Sequence, residues 1–265
     1  MSDSTASTGS AGPSDSAGLA GLGGRTALVT GATAGIGRAV ALLLAARGAE
    51  VIAHGRDPRR GADLVAAIEA GGGRARFIAA DLSVTAEVTR LAAEAGPVDI
   101  LVNNAGVWDF ATTPATSADM FDRHLAVNTR APFLLVGALA PEMAKRGRGA
   151  IVNISSTAAT WVAPIGAVYG ASKAALDMLT RNWATEFGPH GVRVNAISPA
   201  AIRTDGTELM FGGNMDAFDS VTLRGRAGEP DEIAEAVLFL VEDRSSYING
   251  AVLAAHGGER SLLPS

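Results

Sequence analysis

Short apolar runs recur along this chain from residue 25 onward, and few are broken by the polar residues that alternate along a half-exposed strand. They are Thr26-Ala27-Leu28-Val29-Thr30, Val51-Ile52-Ala53, Ala75–Ala79, Ile100-Leu101-Val102, Ile151-Val152-Asn153-Ile154 and Val192–Ala196, with a seventh near Ala251–Ala254. Strands that are apolar on both faces must be buried on both faces. Longer helical patterns separate them: 35–47, a helix opened by Asp57-Pro58, then about 117–143, 167–187 and 230–242. Strand–helix alternation implies right-handed crossovers and a parallel sheet. The expectation is one α/β domain, a doubly wound parallel seven-stranded sheet with helices on both faces, spanning 22–265.

Residues 1–21 stand apart. Apart from Met1, Pro13 and one leucine they are Ser, Gly, Ala, Thr and Asp, too little apolar surface to offset their ordering entropy. They read as a disordered tail and lack the apolar core of a signal peptide. A net charge of −5 offers no basic excess for phosphate neutralisation, which argues against nucleic acid. No run of 18 apolar residues suggests a membrane span. The chain has no cysteine, which removes disulfides and thiolate sites and fits a reducing cytoplasm. His54, His124, His190 and His256 show no metal-ligand spacing, so no metal is expected.

In a doubly wound sheet, ligands bind at the carboxyl ends of the strands. Gly31, Gly35 and Gly37, with Thr33 and Ile36, form a glycine-rich turn between the first strand and first helix. Such a turn lets backbone amides approach a pyrophosphate at a helix N-terminus, the arrangement of a Rossmann fold; a tight strand–helix turn alone could need the same glycines. The second strand ends Ala53-His54-Gly55-Arg56. An acidic residue there would bond a ribose 2′-hydroxyl and repel a 2′-phosphate. None is present, Asp57 reads as a helix cap, and Arg56 can fork onto a phosphate. NADP(H) is favoured over NAD(H); a solvated loop arginine is the plain alternative.

Tyr169 and Lys173 lie four residues apart in a helical stretch, hence on one face. A phenol titrates near ~10, and a neighbouring cation favours the phenolate. The pair can serve as a general acid or base.

With these residues in view the chain resembles the short-chain dehydrogenase/reductase family, over about Leu22–Gly258. The motifs stand in the family's order: the Thr30–Gly37 run, Asp81-Leu82, Asn103-Asn104-Ala105-Gly106, and a tetrad of Asn128, Ser156, Tyr169 and Lys173. The resemblance implies that Tyr169 exchanges a proton with the substrate oxygen and Ser156 holds that oxygen. It implies that Lys173 lowers the tyrosine pKa and bonds the nicotinamide ribose, while Asn128 holds a water. It further implies cofactor contacts at Asp81, Leu82, Asn104, Ala105, Gly106, Pro199, Ile202 and Thr204. Ser155 competes with Ser156, but the 13-residue spacing to Tyr169 favours Ser156. Two departures are Ala200, where a glycine usually follows Pro199, and His256, where an aspartate often stands near a subunit interface.

The variable stretches suggest an aromatic pocket from Trp108, Trp161, Met210 and Phe211, with a lid at about 203–228 that also carries Met215 and Phe218; ordinary packing is the alternative. The subgroup resemblance is to 3-oxoacyl-carrier-protein reductases. The expected activity is a reversible NADP(H)-dependent interconversion of a ketone and a secondary alcohol. The alternatives are an NAD(H)-dependent sugar or polyol dehydrogenase and a non-catalytic NADP-binding regulator. The family implies a small-molecule substrate and a homotetramer built on the helices at 117–143 and 167–187.

Overall fold

The sheet of this computed structural model, which describes residues 21–210, 212 and 222–258, has seven parallel strands. They are β1 (Thr26–Val29), β2 (Glu50–Gly55), β3 (Arg74–Ala79), β4 (Ile100–Asn103), β5 (Gly149–Ile154), β6 (Val192–Pro199) and β7 (Val252–Ala255). Their order is β3-β2-β1-β4-β5-β6-β7, and every pairing is parallel. The helices are α1 (Gly35–Ala46), α2 (Pro58–Ala70), α3 (Thr85–Ala95), α4 (Ala118–Leu125), α5 (Ala131–Lys145), α6 (Ala167–Phe187), α7 (Asp205–Met210) and α8 (Pro230–Val241).

The inner strands β1, β2, β4, β5 and β6 are buried on both faces, as their pattern demands, whereas β3 and β7, at the two edges of the sheet, are partly exposed. Val29, Val51, Ile100 and Val152 pack with Val40 and Leu44 of α1 and Val237 and Leu238 of α8. The alternate residues Leu28, Ile52, Leu101 and Ile151 pack with Leu91 of α3, Leu135 of α5 and Leu176 of α6. Fully burying one such side chain is worth about 1.5–3 kcal/mol. Between β1 and β4 the strand order reverses, so the carboxyl ends of those two strands open a cleft.

Two features differ from the sequence expectation. Helix α3 fills 85–95, where no element was anticipated; Val88, Leu91, Ala92 and Ala95 form its buried stripe. The helical pattern at 117–143 is one run interrupted by a π turn at Ala126–Arg130, where the Ala131 amide reaches back five residues to the Ala126 carbonyl. Apolar spacing cannot separate a wide turn from an ordinary one. Of the calls above, the tail, Phe211, Met215 and Phe218 fall outside the described residues, as does the Met210 side chain; of the segment at 203–228, only 203–210, 212 and 222–228 are described.

Candidate active site

The first bank of the cleft is made of backbone. Gly31 has φ +64° and Gly35 has φ +49°, a region that favours glycine. A Cβ on Gly37 would lie 2.2 Å from the Gly31 carbonyl oxygen, and one on Gly31 would lie 2.9 Å from Ala105 Cα. Both positions therefore admit only glycine, which leaves the loop bare at the start of α1. Such a bare cradle fits a pyrophosphate. Thr30 Oγ1 donates to the Val102 carbonyl and accepts from the Asn104 and Ala105 amides. Asn104 Nδ2 donates to the Thr30 and Gly31 carbonyls at 2.9 and 3.2 Å. Gly35 faces Thr204, whose Cγ2 would sit 3.0 Å from an added Cβ. Ile202 bridges to Gly228 just beyond Pro199 at the end of β6, so this segment of expected cofactor contacts lies across from the loop.

At the end of β2, Asp57 caps α2, accepting from the Arg59 and Arg60 amides. Arg56 lines a recess of about 390 Å³ with Ala79, Ala80, Asp81, Glu87 and Arg90. Arg90 is paired with Glu94 at 2.9 Å. Arg56 has no ion pair among the described residues. Asp81 accepts from the Ser83 amide and hydroxyl, bonds that hold its carboxyl below the usual range. Leu82 beside it is buried.

The second bank is made of side chains. Helix α6 carries Tyr169 and Lys173 against the end of β5; Lys173 is buried and Tyr169 half-buried. Lys173 Nζ donates to the Ile154 carbonyl at 2.7 Å and lies 6.0 Å from the Tyr169 ring centroid. Ser156 accepts from the Ala158 amide and faces the Tyr169 phenol. Asn128, in the π turn, clamps the loop after β4 to α6. Its Oδ1 accepts from the Val107 amide at 2.9 Å, and its Nδ2 donates to the Val107 carbonyl and to Ser172 Oγ. Gly106 brings the chain between them: its Cβ would lie 3.4 Å from Asn128 Oδ1 and 3.6 Å from Lys173 Nζ.

The electrostatics correct one expectation. Burial pushes the Tyr169 phenol above its ordinary value, and the hydrogen bond with Ser156 opposes that rise. Lys173 is the group brought toward neutral pH: burial lowers its ammonium to about 8, against the attraction of Asp177. Taking a charge out of water disfavours the ionised form of both groups, and at Tyr169 that effect exceeds the opposing hydrogen bond with Ser156.

The aromatic calls are spread around this bank. Phe110, not a tryptophan, packs edge-on against Tyr169 at 5.6 Å. Trp108 is 41% exposed and covers Gly206 of α7, whose Cβ would meet Cζ2 at 3.0 Å. Trp161 stands 5.9 Å from the ring of His256. Among the described residues, no ring contact joins the two tryptophans. No non-glycine residue described has positive φ, so Ala200 introduces no left-handed strain. His256 contacts Trp161 of its own chain and accepts from the Gly258 amide.

Several residues here carried no sequence signal. His54 is buried and ties the glycine loop to the end of β3: Nδ1 accepts from the Gly31 amide and Nε2 donates to the Ala80 carbonyl. Burial lowers its pKa, which keeps Nδ1 an acceptor. Ser172 relays between Asn128 and the Tyr169 carbonyl. Asn103, Asn153 and Thr180 form a buried chain under the tetrad at 2.8 Å per step.

With the site described, comparisons place the chain. A family model described as enoyl-(acyl carrier protein) reductase matches residues 31–259. The chain belongs to the short-chain dehydrogenase/reductase family. A D-threitol dehydrogenase of Mycolicibacterium smegmatis is 40% identical over 242 residues, covering 89% of this chain and 93% of that protein. A crystal structure titled as a putative β-ketoacyl-ACP reductase is 47% identical with a TM-score of 0.83, covering 89% and 98% of the two chains. A 3-oxoacyl-(acyl-carrier-protein) reductase from Agrobacterium tumefaciens, solved with NADP bound, is 36% identical with a TM-score of 0.86, covering 90% and 95%.

Proposed function

We propose that this chain is an NADP(H)-dependent oxidoreductase that interconverts a ketone and a secondary alcohol. One observation carries the reading: the end of β5 and one face of α6 bring Ser156, Tyr169 and Lys173 together, with Asn128 locked behind them, opposite a bare glycine loop. NADPH, when bound, supplies the hydride and its electron pair. The chain's residues manage the oxygen. Ser156 donates to the carbonyl oxygen and orients it. Tyr169 gives its phenolic proton to that oxygen as charge develops there. A phenol kept protonated by burial suits this donor role. Once that proton has left, the Lys173 ammonium stabilises the phenolate, and in the alcohol-oxidising direction this phenolate takes the alcohol proton. Arg56, unpaired above the recess after β2, supports the 2′-phosphate and so NADP(H) over NAD(H). Gly31, Gly35, Gly37, Thr33 and Ile36 would hold the pyrophosphate side, and Asn104, Ala105, Gly106, Ile202 and Thr204 the nicotinamide side.

The substrate is a small carbonyl compound or a 3-oxoacyl thioester, met by Phe110, Trp108 and Trp161. The D-threitol dehydrogenase relative gives the polyol reading a specific support. Phe121, Phe133 and Met178 are exposed on α4, α5 and α6, which supports a homo-oligomer through these helices. Trp183 is instead buried in the monomer, against Phe133. Among the described residues, no helix is long and apolar enough to cross a membrane; the cysteine-free composition supports a cytoplasmic setting.

The test is titration with NADPH and NADH, followed by turnover on simple ketones, 3-oxoacyl thioesters and sugar ketones. Tight NADPH binding with turnover of one class is expected. Binding without turnover across the panel would point instead to a cofactor-sensing regulator.

A further inference from the structure

The glycine loop has a tied half and an open half. Its first residues are engaged from two sides. The Thr30 amide donates to the Val102 carbonyl, and the Thr30 and Gly31 carbonyls accept from Asn104 Nδ2. From the β2 side, the Gly31 amide donates to His54 Nδ1 at 3.2 Å and the Ala32 amide to the His54 carbonyl at 2.8 Å. Thr33 then rests on Gly55, where an added Cβ would lie 2.7 Å from the threonine Cγ2. The open half begins α1. Ala34 caps that helix without a side-chain bond, so the first-turn amides have no intrahelical partner and are the donors left for a pyrophosphate.

His54 is 2% exposed, and its ring is fixed at both nitrogens. A backbone amide can only donate, so Nδ1 must be bare to accept from Gly31. The ring proton then sits on Nε2, 3.0 Å from the Ala80 carbonyl just past β3. An apolar side chain of the same size would fill the space and leave the Gly31 amide without its acceptor, which costs far more than the bond itself is worth.

We infer that His54 is a positioning residue for the dinucleotide: its ring, neutral and bare at Nδ1, holds the tied half of the loop so that the first-turn amides of α1 meet the pyrophosphate. The inference rests on the NADP(H) reading of this cradle. Without the acceptor, the Gly31 amide gains by turning to another partner, and the loop leaves the one shape that binds. Apparent affinity falls with the fraction of molecules in that shape.

Three substitutions separate the two ring nitrogens. Asparagine carries Oδ1 two bonds from Cβ, where the ring has Nδ1. Glutamine carries Nε2 three bonds from Cβ, where the ring has its own Nε2. Leucine offers neither. The NADPH Kd, followed by cofactor fluorescence, should rise about tenfold or more in His54→Leu, the scale of one unsatisfied donor. His54→Gln keeps the bond to Ala80 and should bind as weakly; it carries the same expectation if His54→Leu fails to fold. His54→Asn should bring Kd back to within about threefold of the parent. An unchanged Kd in folded His54→Leu or His54→Gln, even with a lower Tm, overturns the inference, because that is the mark of a merely structural histidine. Equal losses in His54→Asn and His54→Leu overturn it as well. A second measurement needs no variant to bind. In [15N]histidine NMR of the parent protein, the signal that disappears in His54→Asn should show a proton on Nε2 and a bare Nδ1; a proton on Nδ1 would refute the assignment. NADPH binding without ketone turnover in the parent would sink the oxidoreductase reading and leave this result standing. A parent protein that binds no NADPH would overturn both.

Discussion

The two banks of the cleft are built by opposite means. Around β1 and α1 the geometry comes from missing side chains: Gly31 and Gly37 approach backbone so closely that a methyl group would collide. Around β5 and α6 it comes from polar side chains in a desolvated place, where Lys173 and Asn128 are buried, Tyr169 is half-buried, and each is held by named partners. Asn103 and Asn104, neighbours in sequence, divide between the two. Asn104 serves the glycine loop and Asn103 the chain to Asn153 and Thr180. The first bank presents amides and can hold a ligand without reacting with it. The second carries groups whose protonation is adjustable, because burial penalises charge. Binding and chemistry should therefore fail separately.

The strongest test of that separation is Tyr169→Phe. Loss of the proton donor should lower kcat by about 10³-fold, while NADPH affinity, followed by its fluorescence, stays within about twofold. Retained turnover would remove Tyr169 from the chemistry. Gly37→Ala should do the reverse. Overpacking against the Gly31 carbonyl costs about 1–3 kcal/mol, seen as a lower Tm and a cofactor Kd raised by about tenfold or more; an unchanged Kd would mean that the loop is not the phosphate cradle. Arg56→Ala sharpens the picture within the first bank. The KM for NADPH should rise about tenfold with the KM for NADH unmoved, as expected for one lost charge-assisted bond; equal effects on both cofactors would exclude the 2′-phosphate contact. The mildest effect is that of pH on the second bank. Lys173 loses its proton as pH rises through about 8, so ketone reduction should decline across pH 7–9 by about half at the midpoint, a trend read from kcat in overlapping buffers. A flat profile would detach the ammonium from the rate.

The sheet was legible because its inner strands are apolar on both faces, a pattern that leaves them no exposed side. The glycine loop and the Tyr169–Lys173 pair were legible through residue type and spacing, while Asn128 and Ser156 joined them only through the family resemblance. What the sequence hid has a common cause. Asp177, Ser172 and Thr180 are ordinary helix polar residues until β5 and the loop after β4 are packed on them. His54 sits within an apolar strand, and only the fold shows that its two nitrogens tie Gly31 to Ala80. The direction of the Tyr169 shift was also hidden. Two residues four apart announce a cation near a phenol, whereas the burial that raises the phenol belongs to the tertiary structure.

The π turn at Ala126–Arg130 has a consequence for changes of chain length. Adding or removing one residue within a regular helix rotates everything beyond it by about 100°, which would swing Leu135 and Met143 of α5 out of the core. A five-residue turn confines the surplus to a single loop of the helix and leaves the helical faces on either side aligned with their neighbours. This stretch is therefore a place where the chain can lose one residue and keep α5 seated. The same deletion would draw Asn128 away from Val107 and Ser172. Such a shortened protein should fold with its sheet intact and lose the clamp between the loop after β4 and α6.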